Sequence, residues 1–105
     1  MMPLAHPGAD HHQDRLSAVI AREAARFIAE EAGAESLITV IRAEPSAHGK
    51  RITVFVSVFP EEKGRSALVL LENRREAFSE HLKAHARLRP LPRVDFLLDD
   101  RTQLS

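Results

Sequence analysis

The sequence predicts an α+β domain, a three-stranded mixed sheet with helices on one face. Three observations carry this. Arg51 to Phe59 (Arg-Ile-Thr-Val-Phe-Val-Ser-Val-Phe) is a β-branched and aromatic run without Gly or Pro, largely apolar on both sides, as a central strand requires. The stretch before it, from Asp14, repeats apolar residues at helical spacing. The stretch after it is helical until Pro90 and Pro92, and closes in a further β-like run, Arg93 to Leu98.

In chain order, residues 1 to 13 hold Pro3, Pro7, Gly8 and three histidines without periodicity, and a flexible tail is expected there. His6, His11 and His12 are metal-ligand types, but a tail cannot preorganise them, so no metal site is expected. Asp14 is the expected N-cap of a helix reaching about Ala32, stopped by Gly33. Leu16, Val19, Ile20, Ala24, Phe27 and Ile28 form its apolar stripe. Arg15, Arg22, Glu23, Arg26 and Glu30 are assigned to the opposite, solvated side.

Ser36 to Glu44 is the first strand, and Pro45, Ser46, His48 and Gly49 turn it into Arg51 to Phe59. So short a connection makes the two antiparallel neighbours. Pro60-Glu61-Glu62 ends the second strand and opens a helical region, with acids where a helix N-terminus favours them. That region, Lys63 to about Arg87, is not one helix. Continuing the stripe of Ala67, Leu68 and Leu71 places Arg75 among buried positions before Phe78 and Leu82. A break near Asn73-Arg74-Arg75 resolves this and leaves both arginines exposed at a corner. The strand–helix–strand return then sets Arg93 to Leu98 parallel to the second strand, which becomes the middle one. The domain is expected to span residues 14 to 100, with a fraying end at 101 to 105.

Composition excludes several functions. The 105 residues suit one domain, and the absence of cysteine removes disulfides and thiol chemistry. No apolar run approaches the roughly 20 residues of a membrane span, and residues 1 to 13 lack the order of a signal peptide, so a cytoplasmic protein is expected. Net charge is zero, yet unevenly spread: residues 63 to 93 hold eight bases against three acids, residues 14 to 35 three bases against five acids. The second half is the electropositive one. Phosphate loops, nucleophile elbows and dinucleotide fingerprints do not occur. His81 and His85 have helical ligand spacing but no glutamate after the first and no evident third ligand, and His85 is expected to be a partly buried structural residue. Asp99 and Asp100 point apart in extended chain, poor geometry for acid–base work. No catalysis and no cofactor are expected.

The order helix, strand, strand, helix, helix, strand is that of a type II KH domain, a fold used for RNA. Leu37-Ile38-Thr39-Val40-Ile41-Arg42-Ala43-Glu44, followed by Thr53-Val54-Phe55-Val56-Ser57-Val58, resembles the paired strands of the ribosome-binding factor A family. Arg87-Leu88-Arg89, then Leu91-Pro92-Arg93-Val94-Asp95-Phe96 and Asp99-Asp100, is similar to that family's closing element. The likeness covers roughly residues 14 to 100 and rests on the order and spacing of the motifs. The chain has no Gly-x-x-Gly loop of standard KH domains; its glycines are Gly8, Gly33, Gly49 and Gly64. The family's Ala-x-Gly interhelical kink falls on Arg74-Arg75-Glu76, a departure at the site of the break.

The resemblance implies a non-catalytic assembly factor that binds the immature small (30S) ribosomal subunit and aids 16S rRNA maturation, monomeric off the ribosome, with no membrane or small-molecule partner. The residues expected to contact RNA are Arg74 and Arg75 at the break, surrounded by Arg65, Lys83, Arg87 and Arg89, with Lys50 and Arg51 as a second group. Glu72, Glu76 and Glu80 dilute that surface. Phe55 and Phe59 could stack bases, but without an RNP1 signature buried or partner-covered phenylalanines are the better reading. The alternative function is a protein–protein interaction module on the same scaffold.

Overall fold

The computed structural model describes residues 9–31, 37–47, 50–88 and 90–99. Its elements are α1 (Ala9–Glu31), β1 (Leu37–Pro45), β2 (Arg51–Phe59), α2 (Gly64–Asn73), α3 (Arg75–His85) and β3 (Arg93–Leu98). A 3-10 turn, Glu61–Lys63, leads into α2. This is the expected order of a type II KH-like α+β domain. Helix α1 begins at Ala9, five residues before the expected Asp14 cap, since nothing between Ala9 and Asp14 is a Pro or Gly that would stop it. Gly33, His48, Gly49, Arg89 and Asp100 lie outside the described residues, as do residues 1–8 and 101–105.

The sheet order is β1-β2-β3, with β2 antiparallel to β1 and parallel to β3. Register follows burial. Ile52, Val54 and Val56 of β2 and Val94 and Phe96 of β3 face the helices and are buried. Arg51, Thr53, Phe55, Ser57 and Phe59 take the other face, beside Arg93, Asp95 and Leu97. Strand β1, at one edge, is irregular: its pairing shifts register between Val40 and Arg42, and Ile41 is exposed there.

The core is one cluster between sheet and helices. Ile20, Ala24, Phe27 and Ile28 bring the stripe of α1 into it, and Ala67 and Leu71 of α2 are buried against the same layer. Phe78 and Leu82 of α3 are fully buried. The Phe78 ring lies 5.2 Å from that of Phe27 and 5.9 Å from that of Phe96, tying α1, α3 and β3 together. At the start of α2, a β-carbon on Gly64 would meet Leu98 Cδ1 at 3.2 Å, so the lack of a side chain lets the helix press on β3.

The predicted break is present. The Arg74 N–H closes α2 on the carbonyls of Leu70 and Leu71, and the Arg74 carbonyl accepts the Phe78 N–H to begin α3. The interruption resets the helical phase, so Ala67 and Leu71 face the core before it and Phe78 and Leu82 after it. Arg75 escapes the buried stripe.

Candidate nucleic-acid interface

The carboxylate of Asp95 organises the main basic cluster. Parallel pairing sets Arg51 opposite Arg93, with Thr53 opposite Asp95, so both arginines flank Asp95 on the sheet face away from the helices. Arg51 Nε lies 3.2 Å from Asp95 Oδ2, and Arg93 Nε 3.7 Å from Oδ1. Arg75, first residue of α3, places Nη1 2.9 Å from the same Oδ1. Three guanidiniums therefore share one carboxylate, an arrangement with excess positive charge. All three keep a large solvent-exposed part, which leaves N–H donors for phosphate oxygens. Lys50 is exposed beside them, its carbonyl accepting the Arg93 N–H at 3.1 Å. A shallow groove of about 290 Å³ runs between α3 and β3, lined by Arg75, Glu76, Ser79, Arg93 and Val94.

The two arginines of the break are less alike than expected. Arg74 is exposed, with Nη1 2.7 Å from Glu31 at the end of α1. Arg75 is only partly exposed, because its side chain reaches the Asp95 carboxylate. Both are anchored within the fold. The sequence placed Arg51 and Arg75 in separate groups; the structure joins them and adds Arg93 and Asp95, which were in neither group. The signal was the strand–helix–strand return, which implied parallel pairing without giving its register.

A second basic group sits at the end of α3. Lys83 and Arg87 line a cleft of about 650 Å³ with Leu88 and Leu91. Arg65, expected in the same surrounding patch, lies on α2 and does not line that cleft, since a helical phase does not carry across the break. Arg65, Arg87 and Lys50 have no ion-pair partner among the described residues. Arg89 lies outside them.

On the open sheet face, the guanidinium of Arg42 covers the Phe55 ring at 4.1 Å and reaches Asp99 Oδ1 at 2.9 Å. Hydrogen bonds to Glu44 and Asp99 raise the Arg42 pKa above its ordinary value. Phe55 is thus covered by the chain itself, whereas Phe59 is 72% exposed, with Leu37 paired beside it and Leu97 also exposed. Asp99 is buried against Arg42.

Two assignments from the sequence are corrected on the helical side. Glu23, assigned to the solvated face of α1, is buried, its Oε1 2.8 Å from His81 Nε2 of α3. It lies three residues after Ile20 and four before Phe27, on the apolar stripe rather than opposite it. The hydrogen bond from His81 lowers the Glu23 pKa against the opposing effect of burial, with help from nearby Arg26. His85, expected to be partly buried, is exposed: it is the last residue of α3, beyond the final buried position Leu82. Its ring stacks on His81 at 4.2 Å, and its Nδ1–H donates to the His81 carbonyl at 3.0 Å. Among the described residues no group of three or more metal-ligating side chains occurs.

No helix of the described chain is long and apolar enough to cross a membrane. No protein-family model matches the sequence, and no curated protein matches it. Solved structures do. The chain is similar to ribosome-binding factor A from Thermus thermophilus, with 30% identity and a TM-score of 0.71 over 82% of this chain and 94% of that one. It is similar to a homology model of the Thermus thermophilus factor fitted into the cryo-EM map of its complex with 30S, again with 30% identity and a TM-score of 0.71, over 85% and 97% of the two chains. The solution structure of a Thermotoga maritima protein, described as a candidate ribosome binding factor A, shares the fold at 21% identity and a TM-score of 0.66, over 92% and 91% of the chains.

Proposed function

This chain belongs to the ribosome-binding factor A family, and we propose that it is a non-catalytic, cytoplasmic assembly factor that binds the immature small ribosomal subunit and aids 16S rRNA maturation. The observation that carries the reading is the convergence of Arg51, Arg75 and Arg93 on the single carboxylate of Asp95. Locally clustered charge makes up for the zero net charge of the chain. Guanidinium forks pair with phosphate oxygens, and binding that favours one rRNA conformation shifts the subunit toward it. The Thermus relative fitted into a 30S map supports the same partner here.

The test is co-sedimentation with immature small subunits. The protein pellets with them at low salt, and the pelleted fraction falls as salt rises and on charge reversal of Arg51 and Arg93. A protein that stays in the supernatant at low salt overturns the reading. One observation favours the second reading, a protein–protein module: the exposed apolar residues Leu37, Phe59 and Leu97 on the open sheet face. Binding that persists at high salt and is lost in Phe59→Asp marks that case.

A further inference from the structure

Helix α3 ends in an unusual way. The N–H groups of Ala86 and Arg87 both return to the Leu82 carbonyl, at 2.8 and 3.1 Å, and the backbone then turns at Arg87 with φ of 54°. Helix ends that turn through positive φ normally place Gly or Asn there, because a β-carbon meets the neighbouring backbone. Arg87 is the one non-glycine residue with positive φ among the described residues. A chain under selection for stability alone would carry glycine at this position.

What the arginine does is visible in its surroundings. Arg87 is exposed and lines the cleft that Lys83, Leu88 and Leu91 complete. Among the described residues Lys83 forms one ion pair, with Glu80 one helical turn away at 3.3 Å, an exposed pair that a phosphate readily replaces. Leu88 and Leu91 are partly buried and pack on the core, giving the cleft an apolar floor. At about 650 Å³ it falls within the roughly 300–1,000 Å³ of small-molecule pockets. Cations beside an apolar floor suit a flat apolar ring carrying an anion.

We propose that this cleft is a subsite for one unstacked nucleotide of single-stranded rRNA, its phosphate held by Arg87 and Lys83 and its base set against Leu88 and Leu91. The subsite rests on the small-subunit reading above and adds a contact to the cluster at Asp95. Arg87 keeps its strained backbone because its side chain must point into the cleft. Single-stranded RNA is the form that offers a splayed base; duplex RNA offers phosphates alone.

The test separates stability from binding. In Arg87→Gly the melting temperature rises or holds, while affinity for a fluorescently labelled oligouridylate falls about tenfold, a typical loss for one charge-assisted contact. Arg87→Lys retains most of the affinity. An oligomer with abasic sites binds the parent protein more weakly than the intact strand, and Arg87→Gly discriminates less between the two. The same variants are run in co-sedimentation with immature subunits. If the parent pellets and Arg87→Gly pellets and binds oligouridylate equally well, the subsite is wrong and the small-subunit reading stands. Equal losses for oligouridylate and duplex RNA also overturn the subsite, since they report phosphate attraction alone. A parent protein that fails to pellet overturns both.

Discussion

His81 Nε2 lies 2.8 Å from Glu23 Oε1, joining α3 to α1 through a hydrogen bond between two nearly buried side chains. The residues are 58 apart in sequence. Their bond holds the helices in register where Phe27 and Phe78 meet, and the His81 ring itself lies 5.5 Å from that of Phe27.

Acidification tests this pair. The folded-state pKa of Glu23 lies below its ordinary 4.5, so its contribution to stability is complete above that value and is lost as pH falls through the lowered one. Thermal melts of the parent therefore lose stability on descending through and below the ordinary carboxylate range, and Glu23→Gln flattens that part of the curve. Glu23→Ala at neutral pH costs about 1–3 kcal/mol, because the His81 N–H loses its partner.

The aromatic cluster sets the largest single cost. Phe78 is fully buried between Phe27 and Phe96. Phe78→Ala is expected to lose about 3–5 kcal/mol in urea denaturation, in the range for truncating a buried phenylalanine.

Removing the Asp95 carboxylate works in the opposite sense on binding. Asp95→Asn frees three guanidiniums from their shared acid, so affinity for RNA rises severalfold and the salt dependence steepens. Stability falls by only about 1 kcal/mol, because Arg51 and Arg93 are largely exposed and their pairs with Asp95 are screened. Filter binding over a salt series measures the first effect and denaturant melts the second.

At the break, Arg74→Ala and Arg75→Ala separate anchoring from RNA contact. The pair of Arg74 with Glu31 is exposed, so its loss costs at most about 1 kcal/mol. Arg75→Ala removes a guanidinium from the Asp95 cluster and is expected to lower subunit binding more than Arg74→Ala does, in parallel co-sedimentation.

Much of the fold was legible in the sequence because its signals are local. The run from Arg51 to Phe59 needs no partner to look like a strand, and an arginine at position 75 conflicts with a continuous apolar stripe on helical periodicity alone. The candidate site was less legible because its geometry is not local. Arg51, Arg75 and Arg93 meet only through the register of β2 with β3 and the corner between the helices. Glu23 could have been found: its angle on α1 lies on the apolar side, but grouping it by charge sent it to solvent. Its partner His81 could not, since helix packing alone brings them together. His85 shows the reverse error, a correct helical angle at a helix end where nothing buries it.

The register shift at Ile41 bears on crowding in solution. Strand β1 has one free edge, and an unpaired edge is a template on which another copy of the chain could extend the sheet. The bulge between Val40 and Arg42 interrupts that ladder midway and twists the strand, so neither half presents a long, flat row of backbone donors and acceptors. That edge is therefore a poorer template for a second copy of the chain than a regular strand would be.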